Sequence, residues 1–92
     1  MFNLGGIEVV EQQAMTKFPQ EAASAWSYFD GAIVGAGYKP IAFVGTQVVK
    51  GVNYVFLAEQ TMITNPISRH IVLVKINNFD GNYSIAGIEQ II

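Results

Sequence analysis

The chain has 92 residues and no cysteine, so neither a disulfide framework nor a thiolate metal site can stabilise its fold. Hydrophobic residues make up 51% of it and charged residues only 13%, which excludes intrinsic disorder and predicts that some apolar surface stays outside the core of so short a chain. Five basic residues against seven acidic ones leave a net charge of −2, without the basic cluster that nucleic-acid binding requires.

The length predicts one domain spanning residues 1–92. No membrane span is expected: the longest uncharged run lies between Lys39 and Lys50, is interrupted by Pro40 and Gly45, and falls far short of roughly 20 apolar residues. Met1-Phe2-Asn3-Leu4-Gly5-Gly6 has neither the basic nor the apolar region of a secretory signal. A cytoplasmic location is therefore the expectation, and a processed secreted form is the alternative.

In chain order, Ile7-Glu8-Val9-Val10-Glu11 is short and β-branched, which suits a strand. Met15, Phe18, Ala22, Trp26 and Phe29 then recur at intervals of three and four, the stripe of an amphipathic helix over residues 16–29 with Phe18, Trp26 and Phe29 in the core. Pro19 fits its first turn, Glu21 complements its dipole, and Asp30-Gly31 supplies a stop in which Gly31 takes the left-handed conformation. Gly31, Gly35 and Gly37 follow a helix and precede a strand, the reverse of a phosphate-binding loop, so they read as a turn.

Residues 41–49 and 52–58 are two β-rich runs separated by Lys50-Gly51, a tight hairpin. Residues 60–66 form a polar connection. Residues 67–77 alternate, with His70, Val72, Val74 and Ile76 on one side and Arg69, Ile71, Leu73 and Lys75 on the other. Asn78-Phe79-Asp80-Gly81-Asn82 is a second hairpin turn, and residues 83–92 close the sheet. The expected class is α+β, one helix packed on a four- to five-stranded antiparallel sheet.

Catalytic chemistry is hard to assemble. His70 is the only histidine, so no histidine pair can hold a metal, and no thiol nucleophile exists. Ser68, His70 and Asp80 make a triad on paper only, without a nucleophile elbow, and a sheet residue beside Arg69 is the plainer account of His70. Glu8 and Glu11 would point to opposite faces of a strand. The expectation is a non-enzyme with no cofactor.

Gln47-Val48-Val49-Lys50-Gly51, followed by Asn53-Tyr54, resembles the Gln-x-Val-x-Gly signature of the cystatin superfamily. Gly5-Gly6 stands where the disulfide-free branch of that superfamily, the stefins, ends its N-terminal trunk, at a matching distance from the signature. The resemblance covers nearly the whole chain and implies a cystatin-like fold and tight, reversible inhibition of papain-like cysteine proteases. It implies that three segments form a wedge: the trunk with Leu4, Gly5 and Gly6; the first hairpin with Gln47, Val48, Val49, Lys50 and Gly51; and the second hairpin with Phe79, Asp80 and Gly81. Leu4 would fill an apolar subsite, Gly5 and Gly6 would let the backbone approach closely, and Phe79 would anchor the second loop. Two residues depart from the pattern: Asp80 stands where stefins have proline, and Lys50 where a small residue is usual. The competing expectation is a cystatin-fold interaction module that pairs edges or swaps hairpins as a homodimer, with no protease target; Val48 and Val49 would then be sheet residues and Gly51 a requirement of the turn.

Overall fold

The structure, a computed structural model, describes residues 18–92 in full and, before them, the backbone of Asn3–Leu4 and Ile7–Val9. The elements in chain order are β1 (Asn3–Leu4), β2 (Ile7–Val9), α1 (Gln20–Ala32), β3 (Ala36–Val49), β4 (Gly51–Met62), β5 (Ser68–Phe79) and β6 (Asn82–Gln90). One helix packs on one antiparallel sheet, an α+β arrangement in which the strands lie in sequence order. Four long strands form the body of the sheet. The short β1 and β2 add a fringe at one end of β3, with Ile7, Glu8 and Val9 opposite Gln47, Thr46 and Gly45. The four long strands are those expected, and the short β1 and β2 bring the total to six because Asn3 and Leu4 fold back onto Glu8 and Ile7. Val10, Glu11, Met15 and Thr16, to which the sequence assigns strand and helix, lie outside the described residues.

Phe18 and Pro19 are not helical, so α1 begins at Gln20 and not at residue 16. Pro19 is its N-cap, in an extended conformation, and its carbonyl accepts the Ala23 N–H at 2.8 Å. A proline disfavours helical geometry in the residue before it, which fixes the start. The other end also moves: Gly31 stays within the helix, which continues to Ala32 and ends as the Ile33 N–H bonds to the Phe29 carbonyl at 3.0 Å. The left-handed residue of this exit is Gly35, φ 85°, rather than Gly31.

Ala22, Ala25 and Phe29, at helical spacing, are fully buried against Phe43, Phe56, Ala58, Val72, Val74 and Ile76 of the sheet. Phe18 and Trp26 pack on this core, their rings 5.5 Å and 5.1 Å from that of Phe56. Burying one such aromatic or branched side chain contributes roughly 1.5–3 kcal/mol, so the helix is held by its apolar face more than by intrinsic propensity. Val72, Val74 and Ile76 face the helix and Arg69, Ile71, Leu73 and Lys75 the other side, as the alternation predicts.

The strands outrun the sequence reading at several ends. β3 starts at Ala36, five residues before the expected 41, and pairs through Pro40 with Ala58 of β4. β4 extends to Met62 and β5 to Phe79, leaving only residues 63–67 to connect them. Among the described residues, no helix is long and apolar enough to cross a membrane.

Candidate functional site

Two hairpin turns stand side by side at one end of the sheet. In the first, Val49 of β3 pairs with Gly51 of β4 and Lys50 forms the tip. Gly51 has φ 86°, a left-handed conformation that glycine adopts without strain. In the second, Phe79 pairs with Asn82 across Asp80 and Gly81, whose φ values of 54° and 83° are the paired positive angles of a type I′ turn. The Asp-Gly pair therefore forms the turn that its chemistry predicts.

The tips touch. Val52 of β4 pairs with Asn78 of β5, and a Cβ on Gly51 would stand 2.4 Å from the Asn78 carbonyl oxygen and 2.9 Å from Phe79 Cα. No side chain fits at position 51. Lys50 Nζ sits 5.1 Å from the centre of the Phe79 ring, near enough for a cation–π contact between the two turns. The Lys50 charge thus rests on an aromatic face and does not project freely from the tip.

Beneath the tips, three amide side chains link the strands. Asn77 Nδ2 donates to the Lys50 carbonyl at 3.1 Å and to Asn53 Oδ1 at 3.0 Å, and Asn53 Nδ2 donates to Gln47 Oε1 at 3.2 Å. Asn53 is only 7% exposed, and no buried side-chain polar atom among the described residues lacks a partner. Such a satisfied network rigidifies what it joins. Asn53 and Asn77 alternate with Tyr54 and Ile76, which pack on the helix side, so the ladder lies on the opposite face. There it borders an open concavity of about 560 Å³, lined by Val49, Lys50, Phe79, Ser84 and Ala86 among others.

The apolar side chains at this end are unusually exposed for strand residues: Val48 is 82%, Val49 45% and Phe79 46% accessible. Lys50, Asp80 and Gly81 are exposed, and Gln47 and Gly51 half-buried. The fringe reaches the same end, because Leu4 pairs with Ile7 and Ile7 with Gln47. Gly5, Gly6 and the Leu4 side chain lie outside the described residues.

The chain matches no family model, no curated protein and no solved structure.

The paper triad does not assemble. Ser68 Oγ and His70 Nε2 are 2.7 Å apart at the start of β5, but Asp80 lies past its other end. Ten residues of strand put it roughly 30 Å from His70. The sequence reading included neither Asn53 nor Asn77 in the site. The signal for them was present: asparagine is depleted in strand interiors, and both stand inside strands two or more residues from a turn.

Proposed function

We propose that this chain is a cystatin-like, reversible inhibitor of papain-like cysteine proteases, inserting one end of its sheet into the active-site cleft. One observation carries the reading. Leu4, Ile7, Gln47, Asn53, Asn77 and Ser84 stand in a single row of register across all six strands, so the N-terminal segment and both hairpins meet at one end. Beyond that row the chain presents Val48, Val49 and Phe79 to solvent on turns that hydrogen bonds hold in place. A surface organised before docking loses little entropy when it docks. Lys50 over Phe79 completes a narrow, mostly apolar tip with a single positive charge, to which Asp80 adds a negative one at the second turn.

The test is titration of papain with the purified chain. Inhibition at micromolar concentration or below is expected, and it should be lost when residues 1–6 are removed or when the exposed Val49 becomes aspartate. Full papain activity in about a hundred-fold molar excess of the chain overturns the reading.

A further inference from the structure

The two long edges of the sheet are protected unequally. Along β3, the stretch of residues 36–43 that β2 does not cover carries Lys39 and Pro40, two residue types that discourage another strand from pairing. The opposite edge, β6, contains neither lysine nor proline in its nine residues, and Glu89 is its only charge. Its inner side bonds to β5, and that pairing continues beyond the strand through Ile91 and Ile92 to Ile71. Its outer row of N–H and C=O groups meets no further strand among the described residues. An edge of this length without such protection is a template for another strand.

Side chains along β6 favour the same outcome. Ile85 and Ile88 pair with Ile76 and Val74, both on the helix side, because the irregularity at Ala86 shifts the alternation by one. They remain 36% and 37% exposed beside the stacked rings of Tyr28 and Tyr83. Ala86 and Gly87 also lie at the middle of β6. An identical strand laid antiparallel about the Ala86–Gly87 bond sets residues 83–86 along residues 87–90 of its copy, with Ile85 opposite Ile88. Ile85 and Ile88 of both chains then meet on the helix side. Each Glu89 then lies opposite Ser84 of the other copy, and the two Glu89 residues stand about 17 Å apart along the strands, beyond the screening length at physiological salt. Parallel pairing would instead place them side by side.

We propose that β6 is a homodimer interface, at which two copies pair edge to edge about a two-fold axis near Ala86 to form one continuous sheet. The axis puts the two hairpin ends at opposite extremes of that sheet, so dimerisation leaves both free. This inference does not depend on the inhibitor reading, because chain mass is measured without a protease.

Sedimentation of the purified chain at about 100 µM should give the mass of two chains. Ile88→Lys should weaken self-association at least about ten-fold, while Ile67→Lys, which adds the same charge at an exposed site in the connection between β4 and β5, should leave it unchanged. Unchanged Trp26 fluorescence verifies that Ile88→Lys folds. Amide exchange of the unsubstituted chain supplies a second readout: outer β6 amides should gain protection as concentration rises, and β4 amides should not. A monomer at this concentration, an Ile88→Lys dimer, an equal loss in Ile67→Lys, or concentration-independent exchange in β6 would each overturn the proposal.

Discussion

Asn77 illustrates how much one side chain can organise. Its amide holds the carbonyl of Lys50, at the tip of one hairpin, from a position two residues before Phe79, which begins the other turn. Asn77→Ala removes both bonds and leaves the Asn53 oxygen, in a residue 7% exposed, without this donor. An orphaned buried acceptor costs about 1–3 kcal/mol. Urea denaturation should register a loss of that size, whereas Asn82→Ala at an exposed position should stay within about 0.5 kcal/mol of the parent chain. Lys50 carries the complementary lesson. Read along the chain it is only a lysine where a small residue is usual. Folded, it lies over Phe79, because a register that sequence does not display puts Val52 beside Asn78.

Between elements, Tyr54 reports how α1 and β6 close around β4. Burial first, then the Glu21 carboxylate of α1 and Tyr83 of β6, raise its phenol above the ordinary value of 10.0. Below pH 10 the phenol is neutral in both folded and unfolded chains, and this contribution to stability is fully present. As pH rises beyond 10, the unfolded chain releases the proton more readily, so stability falls until the folded phenol also ionises. Tyr54→Phe should flatten that alkaline decline relative to the parent, measured as urea midpoints between pH 8 and about 11.

The elements themselves were largely legible. Two turn signals, one helical stripe and the alternation of residues 67–77 yielded the order and the antiparallel sense of pairing, since a meander joins neighbours in sequence. What misled the reading was proline. Pro40 reads as a boundary, yet it stands inside β3, where a bulge separates its pairing from that of Ala42 and β2 covers only residues 45–47. A proline on a free edge, or at a bulge, removes no ladder bond. Pro19, by contrast, was a true boundary whose side was misjudged: it closes the entrance to α1 and is not part of its first turn. The N-terminal segment and the two hairpins that meet at one end of the sheet were legible as three segments. The amide ladder joining two of them was not, because cross-strand partners emerge only with register.

For the whole molecule, the register carries a kinetic consequence. Pairs along β3–β4 and β5–β6 close short turns, so their ordering entropy is small and their contacts are local. The pair Ile7–Gln47 instead closes a loop that contains the entire helix, and only three residues of β2 reward that closure. The two long hairpins and the helix-side core should therefore be in place before β2 docks, and β2, with β1 paired to it, should be the first to leave. Pulse-labelled hydrogen exchange during refolding should find β4 and β5 amides protected earlier than those of Ile7, Glu8 and Val9; simultaneous protection would refute that order. Such a hierarchy would make one end of the sheet a surface of two permanent members and one that arrives last. Any partner that grips all three would then trap the slowest segment and hold the chain in its fully zipped form.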